Sequence, residues 1–295
     1  MKKILIFLLL AGLLCGCVPQ PQTAQIAATT LPVYEFTARL CQGTGISVTR
    51  LITESVSCLH DYTLQVSQIR AAESAEVIVI NGGGLEEFLD DILHTSECIL
   101  DASAGLELLC PEEETEHEHE HGHDDHGHHH DRDPHLWLSP VRAMEMADRI
   151  HHGLCDAYPQ HREQFDRNLS ALLQDLQALQ AYGEKELTGL SCRELITFHD
   201  GFAYLAESFG LTVLEAVEEE SGSEASAAEL IRLIKIVRDH HLPAIFTETN
   251  GSTAAALTIA AETGVNVYTL DMIMAGESYF EAMYRNIDTL KEALG

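Results

Sequence analysis

Histidine and carboxylate side chains carry most of the chemistry this sequence offers. From Glu116 to Asp133 it reads EHEHEHGHDDHGHHHDRD, with eight imidazoles on His117, His119, His121, His123, His126, His128, His129 and His130 interleaved with Asp and Glu. Both side-chain types are ligands for zinc and other first-row divalent cations. The tract has no apolar residue to bury, so it is expected to stay mobile, and the competing reading is a plain solvated acidic loop. Its histidines are internal and interrupted, unlike an expression tag. It leads directly into DPHLWLSP, where Pro134 and Trp137 point to a fixed conformation around His135.

The elements around these residues alternate between short β-rich runs and amphipathic segments. Strands are predicted at 25–30, 46–53, 76–80 and 98–103, and helices at 33–40, 64–75 and 85–93. Beyond Pro140 the spacing predicts a helix over 141–158, a break at Pro159, and a helix over 160–187 whose apolar residues recur at threes and fours. A second series follows, with strands at 194–198, 211–217, 244–248 and 265–270 and helices at 202–209, 225–240, 253–263 and 279–294. Gly210 and Gly264 stand where helix stops belong. The fold class expected is α/β with two lobes, each a parallel sheet with helices on both faces, joined by a long rigid connecting helix. The boundaries expected are an N-terminal lobe over 25–159 containing a mobile loop at 112–133, a connector over 160–188, and a C-terminal lobe over 189–295.

In open parallel sheets ligands bind beyond the carboxyl ends of the strands. His60, in the loop after the second strand, meets that criterion, as do His199 after ELITF and Asp271 after VNVYTL; His135 joins them through the fixed DPHLWLSP segment. Any one of these alone would read as a structural polar residue, but they share one topological position. Glu248, ending AIFTE, is placed behind the site, as are Asp61 and Asp200, which can accept imidazole N–H groups. Tyr62, Trp137 and Phe202 are expected to wall the cleft. His94 and His161 read as solvated, and the pairs His151–His152 and His240–His241 as structural.

The N-terminal MKKILIFLLLAGLLCGC combines two lysines, an apolar run too short to span a membrane, and a Leu-Cys-Gly-Cys ending. Residues 1–16 read as an export signal, Cys17 as the site of lipid attachment, and 17–24 as a tether; a plain secretory signal is the alternative. A formal net charge of -30 argues against nucleic acid and against broad contact with anionic membrane. Six further cysteines, at 41, 58, 98, 110, 155 and 192, leave disulfides open in an exported protein, with no pairing readable from spacing.

The Leu-Cys-Gly-Cys box, the HDY segment at 60–62, the His-rich loop leading to DPHLWLSP, TFHDGFAYLAESFGL and the late TLD together resemble the zinc-binding substrate-binding proteins of ATP-driven metal importers, the ZnuA/AdcA-like group. The resemblance covers essentially the whole mature chain. It implies two lobes on a long helix with one Zn2+ held between them by His60, His135, His199 and Asp271. It also implies a lipid-anchored, monomeric protein on the outer face of the cell membrane, serving an ABC permease and its cytoplasmic ATPase. Manganese-binding relatives tend to carry Glu where His199 stands, and three imidazoles with one carboxylate suit zinc better. Cys58 and Leu59 depart from the common pattern, leaving a thiol beside His60 that a disulfide to Cys41 would occupy. Four protein ligands leave no open position for an activated water, which argues against an enzyme. A manganese or iron importer component, a zinc hydrolase, and a surface adhesin or metal buffer are the competing readings.

Overall fold

The computed structural model describes residues 25–54, 59, 62–110, 132–217 and 225–295. The first sheet contains β1 (Ile26–Ala28), β2 (Val48–Arg50), β3 (Val77–Ile80) and β4 (Ile99–Asp101), all parallel in the order β2-β1-β3-β4. Its helices are α1 (Leu31–Leu40), α2 (Val66–Glu73) and α3 (Asp90–Leu93). Then come α4 (Pro140–Ala157) and the long α5 (Arg162–Glu186). The second half holds β5 (Glu194–Thr197), α6 (Ala203–Phe209), β6 (Thr212–Ala216), α7 (Ala227–Asp239), β7 (Ala244–Glu248), α8 (Ala254–Thr263), β8 (Asn266–Leu270) and α9 (Tyr279–Leu294). Its sheet is also parallel, in the equivalent order β6-β5-β7-β8.

Continuous apolar strands make sense only if both sheet faces are covered, and they are. Ile26, Ala28, Val77 and Val79 face a core shared with α1, α4 and α5, while Ala27 and Ile78 between them join a separate cluster with Leu51, Leu89 and Ile92. The second sheet repeats the scheme. Leu195, Ala244 and Phe246 enter the shared core, and Ile196 and Ile245 pack with Leu233, Val237 and Ile259 of α7 and α8. Helix stops fall where expected, with Gly210 and Gly264 left-handed at φ 63° and 82°.

The shared core runs without interruption through both halves by way of α5, which buries Phe165, Leu172, Leu176 and Leu179. Its 25 residues span about 38 Å. Residues 272–279 add polar ties across the halves. Met272 O accepts from Trp137 Nε1 at 2.8 Å, Met274 O from Leu31 N at 3.0 Å, and Tyr279 N donates to Glu35 Oε2 at 2.6 Å.

Two expectations are corrected. Trp137 and Phe202 are 0% and 1% exposed, so they belong to the core and do not wall a cleft. Trp137 is used as a staple, since Tyr279 Oη also donates to its carbonyl at 2.7 Å. The helix expected over 85–93 is broken into a 3-10 turn, Glu87–Leu89, and the single turn α3. The reason is Glu86, which turns inward and accepts from Asn81 N at 2.8 Å and Gly82 N at 3.0 Å, closing the chain back on β3.

Cys41, Cys98, Cys110, Cys155 and Cys192 are free thiols, and Cys58 lies outside the described residues. The export signal, Cys17, the tether, His60, Asp61 and the histidines from His117 to His130 also lie outside them. Among the described residues no helix is long and apolar enough to cross a membrane.

Candidate metal centre

His135 opens the 3-10 turn Leu136–Leu138 and is 4% exposed. Asp133 holds it from two residues upstream: a single oxygen, Oδ1, accepts from the His135 backbone N–H at 2.9 Å and from ring Nδ1 at 2.7 Å. That geometry assigns the proton to Nδ1 and leaves the Nε2 lone pair for another partner. Asp133 is fixed in turn by its backbone, donating to Leu109 O at 2.8 Å and accepting from Tyr204 Oη at 3.1 Å. Its Oδ2 is buried and accepts no hydrogen bond, so the negative charge acts on the imidazole with little competition from solvent. Asp133 was expected in the mobile loop; it is instead part of the fixed structure, and the signal for it was an acid two residues before the histidine.

His199 follows β5, where its carbonyl accepts from Thr197 Oγ1 at 3.0 Å. Its Nδ1 lies 3.4 Å from Oε2 of Glu248, the last residue of β7, whose side chain is 6% exposed. The His135 and His199 rings meet almost at right angles, 82°, with centroids 5.6 Å apart. Two imidazoles from different halves of the chain thus stand side by side, each with a carboxylate at Nδ1. Gly201 makes this approach possible, because a Cβ there would lie 2.9 Å from His135 Nδ1 and 2.5 Å from Met272 Cε.

Asp271 sits at the carboxyl end of β8, beside Glu248, since Glu248 and Leu270 are register partners. Asn286 of α9 clasps its backbone twice, accepting from Asp271 N and donating to Asp271 O, both at 2.8 Å. Asp271 Oδ1 accepts from Ile273 N at 2.8 Å, and Oδ2 lies 3.7 Å from Arg285. Ile273 is left-handed at φ 62°, a conformation that β-branched residues resist and that this turn imposes. At the equivalent edge of the first sheet, buried Glu86 also accepts from Thr29 Oγ1 at 2.7 Å, and Asn81 Nδ2 donates to Thr30 Oγ1 at 2.7 Å. Burial pushes the Glu86 carboxyl above the usual range despite these donors.

The structure therefore brings His135 and His199 together, backed by Asp133 and Glu248. Asp200 is exposed, and Glu248 stands at the imidazole of His199 beside it. His135, His199 and Asp271 do not gather their ligand atoms within 4.8 Å of one another; among the described residues the triads that do are Asp148, His151, His152 and His151, Cys155, Asp166.

The family of periplasmic component A of the zinc-uptake complex, ZnuA, matches residues 26–293. The chain belongs to the ZnuA family. The zinc-binding lipoprotein AdcA of Streptococcus pneumoniae is 32% identical over 309 residues, covering 99% of this chain and 61% of that protein, so the chain spans less than two thirds of this relative. The high-affinity zinc uptake system protein ZnuA of Bacillus subtilis is 30% identical, with 91% and 87% covered. The Zn(II)-bound ZnuA-like domain of S. pneumoniae AdcA superposes with a TM-score of 0.74 at 27% identity, covering 91% of this chain and 98% of that one. ZnuA-family proteins are metal-binding transport components and not enzymes.

Proposed function

We propose that the protein captures Zn2+ between its two lobes and delivers it to an ABC permease driven by a cytoplasmic ATPase, working as a monomer on the outer face of the membrane under a lipid anchor at Cys17. The observation that carries this reading is the His135–His199 pair, 5.6 Å apart between ring centroids, with Asp133 and Glu248 at the two Nδ1 atoms. Carboxylates in that position raise imidazole basicity and turn Nε2 toward a cation, the arrangement common to histidine ligands of zinc. His60 and Asp271 complete the set, giving three nitrogens and one oxygen in a closed tetrahedral shell.

Cargo binding requires Asp271 to draw in. Its contact with Arg285 is 3.7 Å long and the arginine is 64% exposed, so the pair contributes at most about 1 kcal/mol and yields readily. A zinc site is worth far more, about 10 kcal/mol or above. Release follows from the same division, because ligands drawn from both halves are weakened together if the permease shifts one half against the other. Titration of the metal-stripped chain with zinc tests the proposal. The tightest equivalent is expected to be lost in His135→Ala and in His199→Ala; a binding isotherm unchanged by both substitutions refutes it.

A further inference from the structure

The elbow between α4 and α5 gathers a second set of ligands, none of them among the residues assigned to the cleft. His151 Nε2 lies 2.8 Å from Asp166 Oδ1 and 3.5 Å from Cys155 Sγ, and the three ligand atoms lie within 4.8 Å of one another. His151 and Cys155 share one face of α4 by their spacing of four, and Asp166 reaches across from α5. His151 and Cys155 are 7% and 1% exposed, whereas the Asp166 side chain is 57% exposed and leaves a way in from solvent. The other ring nitrogen of His151, Nδ1, is buried with no hydrogen-bond partner, an unusual state for a polar atom in a core.

We propose that His151, Cys155 and Asp166 form a second metal site, for a thiophilic divalent cation of the zinc class. In a tetrahedral zinc shell, bonds of the usual lengths put N and S about 3.5 Å apart and N and O about 3.4 Å apart. The nitrogen–sulfur separation already has that value, and the nitrogen–oxygen separation must open by about 0.6 Å, a small rotation for a half-exposed aspartate. On binding, the proton that His151 Nε2 donates to Asp166 moves to Nδ1, the Cys155 S–H bond breaks with its proton passing to solvent, and metal–nitrogen and metal–sulfur bonds form. Thiolate and carboxylate then balance the two charges of the cation, and the fourth position is open to water. The thiolate separates this site from one built for manganese, which prefers oxygen. Nothing in this site depends on the cleft.

Cobalt(II) is the probe, because only a thiolate ligand gives an intense near-ultraviolet charge-transfer band. The metal-stripped full chain should develop that band on titration with Co2+, lose it in Cys155→Ala, and keep it in Cys58→Ser, Cys110→Ser and His135→Ala. Asp166→Asn, at an exposed side chain that packing does not need, should weaken the band-forming step at least about tenfold. Retained zinc binding in the cleft shows that Cys155→Ala is folded; should it unfold, Asp166→Asn decides. No band in the parent protein, a band that persists in folded Cys155→Ala, or unchanged cobalt affinity in Asp166→Asn would overturn the proposal.

Discussion

Asp133 Oδ1 accepts two hydrogen bonds from the same residue, His135, one from its backbone N–H at 2.9 Å and one from its ring at 2.7 Å. The acid therefore sets both where the imidazole starts and which way it faces. Asp133→Asn keeps the backbone ties to Leu109 and Tyr204 but removes the carboxylate acceptor that orients the ring. Zinc affinity is expected to fall by about 10- to 100-fold with the tight stoichiometry retained. Competition against a chelator of known affinity reads this directly, and unchanged affinity would mean that His135 is not a ligand.

Gly201 is a steric test of the same corner. Its φ is not in the left-handed region, so alanine meets no backbone penalty and acts only through contact. The added Cβ would press on Met272 Cε at 2.5 Å and His135 Nδ1 at 2.9 Å. Gly201→Ala is expected to cost about 1–3 kcal/mol of stability and to weaken zinc binding by moving the imidazole. Urea unfolding and calorimetric zinc titration check the two effects separately.

Glu86 should leave a pH signature. Its carboxyl is held above the ordinary value of 4.5 by burial, so the folded protein binds that proton more tightly than the unfolded chain does. Folded stability from this group is therefore fullest below 4.5 and declines as pH rises through the elevated native value. Glu86→Gln removes the dependence at a constant cost in acceptors. The stability of the variant relative to the parent is expected to improve from acid to neutral pH, by about 1.4 kcal/mol for each unit by which the carboxyl is raised. Parallel stability curves across that range would contradict it.

Removal of residues 112–131 separates the His-rich tract from the cleft. The cut must stop before Asp133, which belongs to the fixed structure. Total bound zinc should drop while the tightest equivalent keeps its affinity, as measured by equilibrium dialysis. Loss of the tight equivalent would place the ligands in the tract.

Much of this organisation was legible beforehand. All eight strands among the described residues fall within the predicted runs, because apolar stretches bounded by glycine and polar residues have few alternatives in a parallel sheet. His135 was legible as fixed, since Pro134 and Trp137 do not suit a solvated tract. The direction of the Trp137 side chain was not, because only the fold brings Met272 and Tyr279 to its two polar ends. Asp133 was missed for a related reason: a boundary drawn by composition assigned it to the loop, whereas a hydrogen bond two residues long assigns it to His135. The His151–Asp166 contact was not legible, because it crosses a helix break that spacing cannot bridge.

The central claim is that zinc is held by His135 and His199 with Asp271 and His60. A crystal structure of the zinc-loaded protein, with anomalous scattering collected across the zinc edge, tests it most directly. One dominant peak is expected in the cleft, about 2.0–2.2 Å from Nε2 of His135 and His199 and from a carboxylate oxygen of Asp271. A dominant peak bound elsewhere, or one in the cleft that leaves either imidazole out of its shell, would contradict it.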